Sequence, residues 1–339
     1  MARTLLYLLA VLILGAGVWF FLFRDHKVFN DQATNFTVRD TAAIGRIFLA
    51  NNNGDRVSLD RTDTGWLVDK QYPALEAHVQ NLLRTLVSQE VQGPVPKKAF
   101  NTVVQDMAGN AIKCELYNRQ GKLMRRFFIG LETYNYTGTY MLMDGAEAPY
   151  IVQIPGFTGL LTPRYSPMPL FWRDRLVMNH PPADIQSVSV RYPLANINNF
   201  AVSWDGKDTN SLVVNLPAEM NFGGRKPITG KTRAYLNFYT NLYGEAYLNG
   251  TAGLDTMLAS VPLKGEVTIQ PRQGAAEKIQ LYYYPLNRRS KNLANDDPDF
   301  ENQWDSDRYY AVVHGGKDTM LVQRRIFDRL LRRGYEFFQ

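Results

Sequence analysis

Apolar residues recur along this chain in three patterns, and each predicts a different element. From Leu5 to Phe23, LLYLLAVLILGAGVWFFLF, they run for 19 residues without a charge, the length of a helix that crosses a bilayer. In YPALEAHVQNLLRTLVSQE they fall at Leu75, Val79, Leu82, Leu83 and Leu86, the spacing of a helix laid on a sheet. ITGKTRAYLNFYTNLYGEAYL repeats that spacing at Tyr235, Phe238, Tyr239, Leu242 and Ala246, predicting a helix that reaches residue 246. PVPKKAFNTVVQDMAG predicts another helix, with Phe100, Val103, Val104 and Met107 on one face and Gly109 ending it. A shorter equivalent spans Leu254 to Ala259. Elsewhere the apolar residues alternate as strands do. AIGRIFLANNNGDRVSL reads as strand, turn, strand around Asn53-Gly54, a strong hairpin signal. ADIQSVSVRYPLANINNFAVSW is its counterpart, and AIKCELYNRQGKLMRRFFIG and EVTIQPRQGAAEKIQLYYY resume the strands.

These patterns occur twice in the same order. YMLMDGAEAPYIVQIPGFTGLL (Tyr140 to Leu161) lies over YAVVHGGKDTMLVQRRIFDRLL (Tyr310 to Leu331) at a shift of 170 without a gap, and seven of 22 positions are identical. Both copies predict two strands joined by a turn and then a short helix led by Phe and Leu-Leu. The fold class that follows is α+β: two tandem, related lobes of antiparallel β-hairpins with amphipathic helices packed on the sheet, preceded by one transmembrane helix. The expected division is an anchor at 1–27, a first lobe at 28–172 and a second at 173–339. The second lobe alone carries an acidic insertion at about 287–308, NRRSKNLANDDPDFENQWDSDR.

A length of 339 residues suits two domains, and 45% apolar with 21% charged residues suits packed cores. The 38 basic and 32 acidic residues are interspersed, so the net charge of +6 is a mild bias and no nucleic-acid partner is expected. The single cysteine, Cys114, precludes an intramolecular disulfide, and its place among Ile112 and Leu116 predicts a buried packing role.

The apolar run fixes the expected location. Trp19, Phe20 and Phe23 cluster at its far end, as interfacial aromatics do. Cleavage near Gly15 or Gly17 would leave VWFFLF at the new terminus, so an uncleaved signal anchor is the better expectation. Residues 5–23 would then contact the lipid bilayer. Flanking charges barely discriminate orientation; the expected place is the inner membrane, single-pass, with the bulk of the chain in the periplasm.

GRIFLANNNGDRVSLDRTDTGWLVDKQYPA, the helix after it, PVPKKAF, GTYMLMDGAEAPYIVQIPGF and FWRDRLV together resemble the bacterial domain-of-unknown-function family catalogued as 4340, most of all its Bacteroidota-type members. The resemblance covers about Phe36 to Val190 and the second lobe more loosely. Its motifs are strand and turn residues, so it implies a fold and an envelope protein on one N-terminal span, and no catalytic residue. Some relatives in that family are similar to proteins encoded beside gliding-type ABC transporter components, which implies an accessory role.

Candidate chemistry is sparse. His26, His78, His180 and His314 are scattered, with no spacing that makes a metal site. GGRKPITGKT ends like a phosphate loop, but Gly224 stands one residue too far from Gly230 and Pro227 interrupts it. Thr229 or Thr232 is expected instead to cap the following helix. The insertion's acids, Asp296, Asp297, Asp299, Glu301, Asp305 and Asp307, lack the order of a calcium loop and predict a solvated, mobile segment. No catalytic residue, cofactor or metal is expected. The candidate partner-contact residues are Phe300 and Trp304, aromatics in an acidic loop, and Arg325, Arg329, Arg332 and Arg333, the basic face of an expected C-terminal helix whose apolar face is Ile326, Phe327, Leu330 and Leu331. The expected function is a non-enzymatic, membrane-anchored module, an accessory or scaffolding subunit of a transporter, motility or secretion complex. The alternative is a periplasmic small-molecule or glycan binding protein using a cleft between the lobes, lined by aromatics such as Trp172, Tyr235 and Tyr239.

Overall fold

A computed structural model describes residues 31–220, 224–292 and 300–338. The expected anchor at 5–23 and His26 lie outside the described residues, and among those described no helix is long and apolar enough to cross a membrane. The chain divides into two compact units, Met1–Asp174 and Arg175–Gln339. Both are α+β, built on antiparallel sheets.

In the first unit β1 (Ile44–Ala50), β2 (Arg56–Thr62), β3 (Gly65–Val68), β4 (Tyr72–Pro73), β5 (Glu90–Pro94), β6 (Ile112–Asn118), β7 (Leu123–Glu132), β8 (Thr139–Met143) and β9 (Tyr150–Gln153) form one sheet. Its order is β4-β3-β2-β1-β6-β7-β8-β9-β5. Alternation along the strands gives the sheet two apolar faces, and a helix covers each. Helix α1 (Glu76–Ser88) buries Val79, Leu82, Leu83 and Leu86 in the core that also holds Phe127, Ile129, Met141 and Val152. Burying each such aliphatic side chain contributes about 1.5–3 kcal/mol. Helix α2 (Lys97–Asn110) packs Val103 and Met107 against the alternate residues Phe128, Tyr140, Leu142 and Ile151 on the other side. Gly130 permits that approach, since a Cβ there would stand 2.8 Å from the Met107 Cγ. Two details differ from expectation: Val104 is exposed, and α2 continues past Gly109 to Asn110. A narrower stripe than predicted suffices, because α2 covers only a few residues of the sheet.

The second unit contains β10 (Leu176–Met178), β11 (Ile185–Arg191), β12 (Phe200–Ser203), β13 (Val213–Asn215), β14 (Leu242–Tyr243), β15 (Ala246–Tyr247), β16 (Leu263–Pro271), β17 (Glu277–Pro285), β18 (Trp304–Val313) and β19 (Asp318–Gln323). Eight of these form the sheet β13-β12-β11-β16-β17-β18-β19-β15. Position for position this is the order β3-β2-β1-β6-β7-β8-β9-β5 of the first unit. The registers agree as well. Thr139 pairs Val152, Tyr140 pairs Ile151 and Met141 pairs Tyr150 in β8–β9. In β18–β19, Tyr309 pairs Val322, Tyr310 pairs Leu321 and Ala311 pairs Met320, which is the same set of pairs shifted by 170.

Three expectations fail on the helices. Helix α3 (Thr229–Leu236) and a 3-10 turn, Asn237–Tyr239, stop well short of residue 246. Asn241 then takes a positive φ of 52°, and the chain enters β14 and β15, whose backbones pair with β10 and β19. A two-stranded ribbon with β10 claims Leu242 and the edge of the eight-stranded sheet claims Ala246, so their helical spacing is coincidental. The short helix after the closing hairpin exists only in the second unit, at Arg324–Phe327. In the first, Pro155-Gly156 forms a turn with Gly156 at φ +73°, and Phe157 is exposed. The N-cap of α3 is Ile228, without a side-chain hydrogen bond. Thr232 instead donates its hydroxyl to the Ile228 carbonyl at 3.1 Å. The shorter helix α4 (Leu254–Ser260) is present as expected.

Candidate functional site

The expected partner-contact residues all belong to the second unit, in the acidic insertion and the C-terminal segment. These two stretches converge on β16–β18. The insertion's near arm turns at Asn287 to Ser290, and its far arm enters β18 at Trp304. Asp305, 1% exposed, ties them together: its carboxylate accepts from the Ser290 hydroxyl at 2.5 Å and from the backbone N–H groups of Asp307 and Arg308 at 2.8 Å each. Asn292 donates to the Trp304 carbonyl at 2.8 Å and accepts from the Ser306 N–H at 3.1 Å. Lys291 pairs with Asp307 at 2.9 Å. The insertion's two described arms are therefore built structure, not the solvated, mobile loop expected. Asp296, Asp297 and Asp299 lie outside the described residues.

Phe300 and Trp304 lean back onto the unit. Their rings each lie 5.4 Å from the Tyr283 ring, edge-on for Phe300 and tilted for Trp304. Phe300 stays 42% exposed, so one edge remains available. Between them Glu301 reaches inward. It is bonded to the Lys264 ammonium, accepts the Tyr283 hydroxyl at 2.6 Å, and pairs with the Arg324 guanidinium at 3.1 Å. Burial alone would raise the Glu301 pKa, but the bonds from Lys264 and Tyr283 and the two cations outweigh it and hold the carboxyl below its ordinary value. Tyr283 is pushed the other way, by burial and then by its bond to Glu301. Arg324 also donates to the Asp305 carbonyl at 3.0 Å and lies over the Tyr309 ring at 4.9 Å. Tyr309 donates to Asp328 at 2.7 Å. These groups line a cavity of about 420 Å³ that Phe300 and Arg333 also border.

A second cavity, of about 340 Å³, lies where α3 meets the C-terminus, lined by Lys231, Ala234, Tyr235, Phe238, Arg332, Glu336 and Phe337. The guanidinium carbons of Arg329 and Arg332 lie 5.7 and 6.0 Å from the centre of the Phe238 ring. Arg332 pairs with Glu336 at 3.1 Å. The expected C-terminal helix is not one: beyond Phe327 the chain turns, then forms a 3-10 turn at Gly334–Phe337. Its carbonyls are bonded by tyrosines. Tyr235 donates to the Leu330 carbonyl at 2.9 Å and Tyr192 to that of Arg332 at 2.5 Å.

The six expected residues thus fall in different places. Phe300 and Arg333 border the first cavity and Trp304 packs beside Tyr283. Arg329 and Arg332 flank the aromatic Phe238 at the second, and Arg325 is exposed on the short helix Arg324–Phe327. At the centre of the network, Lys264 and Tyr283 were not singled out by the sequence, and Glu301 only as one of the insertion's acids. The alternation in LKGEVTIQP marks Lys264 only as a strand residue. Arg324 and Arg325 look equivalent in QRRIF, yet Arg324 turns inward with its side chain 15% exposed.

The first cavity can hold the insertion in place, because its inward cations face an internal carboxylate. In this cavity Tyr283 and Tyr309 donate their hydroxyls to Glu301 and Asp328, and burial pushes both phenol pKa values up. His180 faces Glu277 at 3.0 Å, His314 faces Asp318 at 2.8 Å and the Leu176 carbonyl at 3.1 Å, and His78 faces the Phe171 carbonyl at 2.9 Å. Among the described residues no group of three His, Cys, Asp or Glu is placed to hold a metal ion. Cys114 is buried, and burial pushes its thiol pKa well up. No family model, curated protein or solved structure matches the chain.

Proposed function

We propose that the protein is a membrane-anchored, periplasm-facing accessory module of an envelope complex, made of two duplicated lobes that act through contacts and not through catalysis. The observation that carries the reading is the order of parts: a 19-residue apolar run stands ahead of two units with one strand order. A helix of that length holds the chain on the bilayer. Two units of one plan then offer two related surfaces, and where they differ they have room for different partners. One polar cluster supports this role, since Lys264 and Arg324 both bond to Glu301 and so anchor the insertion. The resemblance to the domain-of-unknown-function family points to a transporter, motility or secretion assembly.

Crosslinking in intact cells from a photoreactive residue at Arg325 tests the reading. The expected result is capture of one defined envelope protein that also remains bound through mild solubilisation. Recovery of an alkali-extractable chain, or of a lone monomer under several mild detergents, would overturn it.

A further inference from the structure

The chain's positive charge is not spread over its surface. Residues 224–244 and 324–338 contain nine Lys and Arg against two acids, Asp328 and Glu336, which is more than the whole net charge of +6. The rest of the protein is close to neutral. The fold brings these two distant segments together. The Ile228 N–H donates to the Phe337 carbonyl at 2.7 Å. Lys231 of α3 and Arg332 line one cavity, Arg329 and Arg332 flank Phe238, and Arg225 and Lys226 share a neighbouring groove with Phe338. Arg225, Lys226, Lys231, Arg233 and Arg329 are all exposed, and so is Ile228 beside them, at 41%. The corresponding helix of the first unit, α1, has one acid and one arginine, Glu76 and Arg84, and no such surface.

We infer that this basic face of the second unit docks on the anionic headgroups of a bilayer. Phosphate-bearing lipid is favoured over an acidic protein by two observations: the positive charges are spread over two elements around a partly apolar centre of Ile228, Phe238 and Phe338, and the apolar run at 5–23 has the length that a bilayer anchor needs. Lysine and arginine near such a surface each raise binding about fivefold, and an exposed isoleucine among them adds apolar contact at the headgroup boundary. The tether is part of the function proposed above; the basic face is not, and it can be tested with or without the tether.

Gly230 offers a probe position, because it is exposed and a Cβ there meets nothing within 4 Å; Gly109 on α2 has the same properties and serves as the control. The full chain carrying Gly230→Cys or Gly109→Cys is reconstituted into discs of phosphatidylcholine alone or of equal parts phosphatidylcholine and phosphatidylglycerol. Thiol labelling at 230 should slow about tenfold or more in the anionic discs, recover at high salt as screening shortens to about 3 Å, and recover in a Lys231→Glu/Arg329→Glu variant with unchanged melting. Labelling at 109 should be the same in both. Equal labelling at 230 in the two lipids, or equal slowing at 109, overturns the inference. If the chain does not incorporate, the anchor fails and the same protein is sedimented with vesicles of the two compositions. Binding to anionic vesicles alone, lost in the double variant, then upholds the basic face, and no preference refutes it.

Discussion

The two units share eight strands in one order and a closing hairpin in one register, yet they solve the packing of that sheet with different chemistry. In the first, α1 is 13 residues long and buries aliphatic side chains. In the second, α3 has eight residues and buries Tyr235, and the 3-10 turn after it buries Tyr239; both hydroxyls must be bonded. Tyr239 donates to Tyr235, which donates to the Leu330 carbonyl. The comparison teaches that strand order and register, set by alternation and turns, are separable from what covers the sheet. It also explains the C-terminus. Carbonyls that a helix would use internally are taken by Tyr235 and Tyr192, so the segment runs as turns and its arginines spread outward instead of lining one helical face.

The largest effect should come from breaking the aromatic solution. Tyr235→Ala removes a buried ring packed at 5.3–5.6 Å from Phe200, Tyr239 and Phe337, and should cost about 3–5 kcal/mol in chemical denaturation. Leu82→Ala in α1 should cost about 2–5 kcal/mol. The sharper contrast is Tyr235→Phe, which keeps the ring but leaves the Leu330 carbonyl and the Tyr239 hydroxyl without their partner. It should cost about 1–3 kcal/mol and loosen the C-terminal segment, read as faster amide exchange beyond residue 327. A Tyr235→Phe protein as stable as wild type, with unchanged exchange, would mean that the hydroxyl relay does not hold the C-terminus.

Next in size is the insertion, which has no counterpart in the first unit. Glu301→Gln should lower stability at neutral pH by about 1 kcal/mol, since solvent screens a partly exposed pair. Its folded pKa is held below the unfolded value of about 4.3. The ionised carboxylate therefore contributes its stability above the unfolded pKa, and the contribution fades as pH falls through the folded one. Melts of wild type and Glu301→Gln should differ at pH 7, and the gap should close as pH falls below the ordinary glutamate range. A gap independent of pH would show that Glu301 acts by packing and not by charge.

Strands were the legible part of this fold, and the reason is physical. A strand's period of two and the Asn53-Gly54 turn are written locally, and so is the hairpin echo at a shift of 170. Helix limits were less so. Leu242 and Ala246 kept a helical spacing while strand pairing with β10 and β19 took their backbone, a tertiary choice that no local pattern records. Of the candidate site, the sequence marked the right region but not its wiring. Phe300 and Arg333 meet across a cavity because Glu301 draws the insertion onto Lys264 and Arg324, and Lys264 lies in a strand 37 residues away. Two further carboxylates are hidden in the sequence for the same reason. Glu115 on β6 faces Arg126 at 2.8 Å and Lys113 at 3.3 Å, and Glu266 on β16 faces Lys278 at 3.3 Å and Arg191 at 3.5 Å. Both units thus set an acid between cations on the central strand, a repeat visible only once the strands are paired.

The smallest effect belongs to the point where the echo ends. Phe157 and Phe327 align in sequence, but Phe327 is buried and Phe157 lies outside, its ring 4.3 Å from the Arg164 guanidinium. Two residues separate their paths. Pro155-Gly156 closes a turn in which the Phe157 N–H donates to the Ile154 carbonyl at 3.0 Å, with Gly156 at φ +73°. Proline at the second position and a positive φ at the third are what a type II turn requires. The aligned pair, Arg325-Ile326, lies inside a helical turn that either residue accepts. Gly156→Ala should therefore cost about 1 kcal/mol, although a Cβ there meets no atom within 4 Å, because the penalty is in the backbone. Arg325→Gly, exposed on that helical turn, should loosen it by a similar amount through the opposite cause, lost helical preference. A Gly156→Ala melt indistinguishable from wild type would show that the turn relaxes freely. The divergence of the two units after the hairpin would then have to be set by what buries Phe327 and not by what turns the chain at Gly156.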